Sequence, residues 1–131
     1  MNFVKNKVMN TILWSCQVFL ALIFGYSGFC KSTLSATVLI ARGQTGVVGK
    51  SQAFIRFIGF SEMLGAVGII LPWWLEIARV LTPVTAVCFA VIMLFAAPIH
   101  FRLKEPKNVI LNLLVLIISI FIAYERFSEL A

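Results

Sequence analysis

Residues 54–74, FIRFIGFSEMLGAVGIILPWW, are apolar over a length suited to lipid, yet they carry Arg56 near one end and Glu62 near the middle. About 20 such residues in a helix cross a hydrocarbon core of about 30 Å. Counted from Ala53, Glu62 lies roughly 13 Å down that helix at ~1.5 Å per residue, close to the bilayer midplane. An ionisable group there costs at least ~2.5 kcal/mol unless it is paired or neutral. Gly59, Gly65 and Ala66 share its helical face, and Ser61 with Gly65 makes a small-xxx-small pair. Small residues admit a neighbouring helix, so this face is expected to turn into a bundle rather than toward lipid.

Three further apolar runs accompany it. The four expected helices cover residues 11–29, 53–71, 80–99 and 109–124, all in one membrane domain over 1–131. The chain is 61% hydrophobic and only 12% charged, whereas soluble domains are roughly one-quarter charged. The surplus apolar surface must meet lipid, and backbone groups in lipid must be satisfied internally. The expected fold class is therefore all-α, an integral membrane four-helix bundle. TLSATVLIA, residues 33–41, is too short to span and reads as an amphipathic or re-entrant helix in the first loop. Ser51 and Asn108 are expected to cap the second and fourth helices. Pro72 is expected to end the second, and Pro98 to kink the third near His100. The first run is long for a signal h-region and lacks a small-x-small cleavage site, so it reads as a retained helix.

The net charge of +6 sits between the apolar runs, which points to bilayer-surface contact and not to nucleic acid. Lys31, Arg42, Lys50, Arg102, Lys104 and Lys107 gather on the side of loops one and three. Lys5, Lys7, Arg79 and Arg126 lie on the other side, so the positive-inside rule puts both termini outside. That second side also holds Trp14, Trp73, Trp74 and Tyr124, which read as an aromatic belt. A bacterial cytoplasmic membrane is the expected setting. Cys16 and Cys30 are about 21 Å apart on one helix at ~1.5 Å per residue and cannot pair, so the three cysteines read as free thiols. One histidine and one buried glutamate are too few for a structural zinc site. No nucleophile–base pair or phosphate loop appears, and the residues themselves indicate no cofactor.

Polar side chains converge on the loop-one half of the bundle. Tyr26 and Lys31 close the first helix, Arg56 enters the second and His100 closes the third. Asn108 and Asn112 open the fourth. These residues predict a vestibule with Glu62 as its floor and Lys31, Arg56 and His100 at its rim, with Tyr26 and Asn112 beside them. Each also has a plainer role. Glu62 can pair structurally with Lys31 or Arg56, Lys31 can snorkel to the headgroups, and His100 can sit at the interface.

The stretches FGYSGFCKSTLS (24–35) and FIGFSEMLGAVGIILP (57–72), with His100 ending the third helix, resemble the DoxX-like family of small membrane proteins. The first has the G-x-x-K close of the family's first helix. The second has its order of Gly, then Glu, then a Gly-rich apolar run. The resemblance extends from about Leu20 to Tyr124. It implies a four-helix membrane bundle, association with membrane redox systems including quinone-linked sulfur oxidation, and, in animals, assembly of other membrane proteins. It carries Lys31, Glu62 and His100 over as positions of interest. The redox association lacks a paired-thiol motif here.

Three functional readings stay open. In the first, the protein is an accessory or assembly factor packed on a larger membrane partner, of which a non-catalytic oxidoreductase subunit is one form. Alternatively it binds a quinone or lipid-like molecule in the vestibule. The third reading, a small proton-linked transporter or channel titrating Glu62, calls for a homo-oligomer.

Overall fold

The computed structural model describes the backbone of residues 2–131 and the side chains from Asn6 onward, so Lys5 in the orientation count lies outside the described side chains. The elements are α1 (Asn2–Thr33), α2 (Ala36–Ala41), a 3-10 turn (Thr45–Val47), α3 (Gln52–Gly68), α4 (Leu71–Leu75), α5 (Leu81–Arg102) and α6 (Pro106–Leu130). Four spans are long and apolar enough to cross a membrane: α1, α3 continued by α4, α5, and α6. In an 18-residue apolar stretch of each, only 17–28% of the residues are buried within the protein. Most large side chains exposed along these spans are apolar, as an integral membrane four-helix bundle requires. The six-residue α2 is the short helix anticipated in the first loop.

Local chemistry explains the starts better than the ends. Ser35 and Ser51 accept hydrogen bonds from Val38 N and Phe54 N at 3.4 and 3.2 Å, giving α2 and α3 side-chain caps. Asn108 does not cap α6. Pro106 occupies the first turn, where its missing N–H costs nothing, and the helix begins earlier than the asparagine. The helices also outrun the apolar segments, and α5 continues past Pro98 to Arg102. A helix satisfies its own backbone whether or not its side chains are apolar, so polarity alone does not terminate it.

Pro72 acts differently from a simple stop. It lies in the first turn of α4 and has no N–H for the carbonyl of Gly68, which breaks the second span into two helices. Thr82 Oγ1 from α5 donates to Gly68 O at 3.2 Å, and Gln17 Nε2 from α1 donates to Ile69 O at 2.7 Å. Both side chains are fully buried. Re-satisfaction of freed backbone by neighbouring helices is what permits such a break at membrane depth.

The bundle is two tight helix pairs, α1 with α3 and α5 with α6, meeting along lighter seams. Glycines set the α1–α3 distance. A Cβ on Gly28 would lie 2.6 Å from Gly59 O and 2.8 Å from Met63 N, and one on Gly59 would lie 2.8 Å from Ser32 N. Backbone atoms cannot yield as a flexible side chain would. Gly28→Ala is therefore expected to cost about 2–3 kcal/mol, the upper part of the overpacking range. Gly25→Ala, whose nearest contact would be 3.7 Å away, should be close to neutral. Unfolding in mixed detergent–SDS micelles reads the difference, and equal effects would show that the close approach is not strained.

One apolar core fills the half of the bundle away from loop one. It contains Leu13, Leu20, Phe24, Ile69, Ala86, Phe89, Met93, Val115 and Ile122. At its centre Phe24 and Phe89 stack across the two pairs at 3.8 Å, nearly parallel. The aromatic belt is only partly present. Trp74 and Tyr124 face outward, but Trp73 is buried, with the guanidinium carbons of Arg79 and Arg126 lying 4.0 and 4.5 Å from its ring centre. Arg126 is itself fully buried and drops out of any count of surface charge.

Candidate functional site

Above that core, toward loop one, the two helix pairs part to leave a cavity of about 590 Å³. Its deep end is formed by Phe24, Met93 and Val115, with Glu62 on the adjoining wall. Residues 43–50 of the first loop, including the 3-10 turn, form its other end. The lining is dominated by apolar side chains. Lys31, Glu62, His100, Tyr26 and Asn112 all belong to it, so five of the six residues picked out from the sequence meet around one space.

Arg56 is the exception. Its Nη1 donates to the carbonyls of Lys31 and Leu34 at 2.7 and 2.6 Å, at the C-terminal end of α1. The last carbonyls of a helix have no intrahelical donor, and this guanidinium supplies one. Arg56 therefore ties α3 to α1 outside the cavity lining.

Glu62 is buried and pairs with Lys31: Nζ to Oε1 is 2.8 Å, with side-chain exposures of 3% and 16%. Lys31 also donates to Ser27 Oγ at 3.0 Å, one turn back on α1. Among the described residues, the second carboxylate oxygen of Glu62 has no hydrogen-bond partner, and neither has Nδ2 of buried Asn112 on α6. An unsatisfied buried polar atom costs about 1–3 kcal/mol. Glu62 and Asn112 both belong to the cavity lining, one from each helix pair, and each keeps one buried polar atom unpartnered.

At the mouth, Thr45 Oγ1 donates to the Glu105 carboxylate, 2.7 and 2.9 Å from its two oxygens. His100 Nδ1 sits 2.9 Å from Glu105 Oε1, which places a ring proton on Nδ1. These bonds latch the first loop to the third across the cavity end. The segment they hold is flanked by Gly43 and Gly49 at φ +91° and +78°, conformations that favour glycine. Hydrogen bonds from His100, then Thr45, hold the Glu105 carboxyl below its ordinary value of 4.5. A depressed acid contributes its stabilisation above the ordinary value and loses it as pH falls through the lowered one. A spin label at exposed Val48 is thus expected to stay immobile down to pH 5 and to loosen only below 4.5. Loosening that begins near pH 6 would mean that Glu105 does not hold the loop.

The sequence reading overlooked a second polar group at the opposite end. Arg126 donates to Gln17 Oε1 at 2.8 Å from Nε, and to Asn10 Oδ1 and Glu129 Oε2 at 3.1 and 2.7 Å from Nη1. A signal was present, since Asn112, Val115, Ser119, Ile122 and Arg126 recur at spacings of three and four and form one buried stripe of α6. That stripe joins the cavity to the arginine.

The sequence profile of the DoxX-like family matches residues 15–122, a region holding every cavity residue named above. The chain belongs to the DoxX-like family. Neither a curated protein nor a solved structure matches it. The DoxX-like match covers α3, α4 and α5 in full, part of α1 and of α6, and the latch between the loops. Arg126, four residues beyond its end, lies outside it.

Proposed function

We propose that this DoxX-like protein is a non-catalytic accessory component of a bacterial cytoplasmic membrane system, and that it holds one small amphipathic molecule in the cavity between its helix pairs. A quinone and a lipid-like small molecule share the required chemistry, an apolar body with a compact polar end. One observation carries the reading: Glu62 Oε2 and Asn112 Nδ2, both buried, lack partners in a lining that is otherwise mostly apolar. Sites for small molecules have this make-up, apolar walls of about 300–1,000 Å³ with a few convergent polar groups. An accessory role on a larger membrane partner fits a chain with a binding cavity and no catalytic motif. Exposed Arg42, Arg102, Lys104 and Lys107 favour loops one and three facing the cytoplasm.

Native mass spectrometry of protein extracted gently from its own membrane tests the reading. Wild type is expected to carry a discrete small molecule that Glu62→Gln lacks. Bulk lipid alone on both, or a co-purifying protein with no small molecule, would leave Glu62 as a packing device and remove the ligand from the proposal.

A further inference from the structure

If the cavity is a ligand site, its wall chemistry also narrows the ligand. The cationic groups around it are already engaged. Lys31 spends two of its three N–H donors on Ser27 and Glu62, and its charge is matched by that carboxylate. Lys50 donates to Gly46 O at 2.8 Å, His100 is bound to Glu105, and Arg56 faces the end of α1. Lys50, at the loop-one end of the lining, has no carboxylate partner among the described residues, but an anion seated deep in the cavity would meet the free oxygen of Glu62 beside a Lys31 whose charge is already matched. A cation would have to lose its hydration beside the Lys31 ammonium. What the lining lacks is one donor for Glu62 Oε2 and one acceptor for Asn112 Nδ2.

A route in is visible as well. The α3–α5 seam is closed deep in the bundle, where Gly65 packs on the Phe89 ring and Gly68 on Thr85. Nearer loop one, Phe57, Ser61 and Phe95 line the cavity and are also exposed on the outer surface. This stretch of the seam faces the acyl chains, whereas the latched first loop lies over the cavity end.

The geometry points to an uncharged, lipid-soluble ligand whose head carries both a hydroxyl and a carbonyl or ether oxygen, entering sideways from the bilayer between α3 and α5. The hydroxyl donates to Glu62 Oε2, the second oxygen accepts from Asn112 Nδ2, and the tail trails past Phe57 and Phe95 into lipid. This inference rests on the cavity being a ligand site, and the test separates the two.

Four labelled ten- or eleven-carbon probes are compared by equilibrium binding to the protein in nanodiscs, with empty nanodiscs as background. They are 1-monodecanoylglycerol, decyl sulfate, decyltrimethylammonium and undecane. The monoglyceride is expected to bind saturably and about tenfold or more tighter than the others. Asn112→Leu should weaken it about five- to tenfold, the worth of one hydrogen bond, and Ala96→Trp, which fills the cavity, should abolish it. Circular dichroism confirms that both variants are folded. Tighter binding of either charged probe, or equal binding of undecane, would overturn the ligand class while leaving the site in place. No saturable binding of any probe, or binding indifferent to Ala96→Trp, would remove the site itself and the inference with it.

Discussion

Lys31→Met is expected to destabilise the bundle by about 3–5 kcal/mol, and adding Glu62→Leu to it should recover most of that loss. The single change leaves a carboxylate that is 3% exposed with neither oxygen partnered, and stranding one member of a buried pair is costly on that scale. Replacing both members with apolar side chains removes the stranded charge, and such double replacements are often neutral or better. A membrane reference state softens the effect, because a span inserted but not packed also finds partners for its polar groups. The double-mutant cycle, read from SDS unfolding, should nonetheless show a coupling well above 1 kcal/mol. Additive single effects would mean that the 2.8 Å contact contributes little to folding. The cycle also bears on the proposed ligand site. A double variant that is as stable as wild type but carries no bound molecule would support ligand binding by the Lys31–Glu62 pair beyond its part in packing.

The fold was legible because membrane physics leaves few alternatives. Four apolar runs near 20 residues can satisfy their backbones in lipid only as helices, and four helices stand there. Glu62 was legible as inward-facing because glycine and alanine surround it on one face. Its partner was not. Lys31 and Arg56 both lie toward loop one, and nothing local decides which reaches the carboxylate. The choice depends on the end of α1, whose open carbonyls draw Arg56 away and leave Lys31 to Glu62. The Thr45–Glu105 latch was invisible for a related reason, since two loop residues sixty positions apart meet only after the helices pack. Trp73 and Arg126 misled in the opposite direction. An aromatic residue or an arginine near a helix end reads as interfacial, and only tertiary packing shows the pair buried against each other.

Arg126→Met should be the second costly change, at about 3–4 kcal/mol, although it lies at the far end from the cavity. Arg126 Nε holds Gln17 Oε1, and Gln17 Nε2 holds Ile69 O, one of the carbonyls at the break above Pro72. Removing the guanidinium leaves the fully buried Gln17 with an unpaired acceptor, and it removes the cation from the Trp73 face, itself worth about 0.5–2 kcal/mol. Glu129, 41% exposed on its side chain, can turn to water, so Glu129→Gln should cost less than about 1 kcal/mol. Arg126→Lys should not rescue, because a single ammonium cannot reproduce a fork that reaches Gln17 from Nε and Asn10 with Glu129 from Nη1. Gln17→Leu, which opens the Ile69 carbonyl, should couple to Arg126→Met by 1 kcal/mol or more, as members of one network do. If instead Arg126→Met were neutral and uncoupled from Gln17→Leu, the arginine would not be what holds the broken second span to α1 and α6. The Pro72 break would then be secured by Thr82 and Gln17 without the arginine's support.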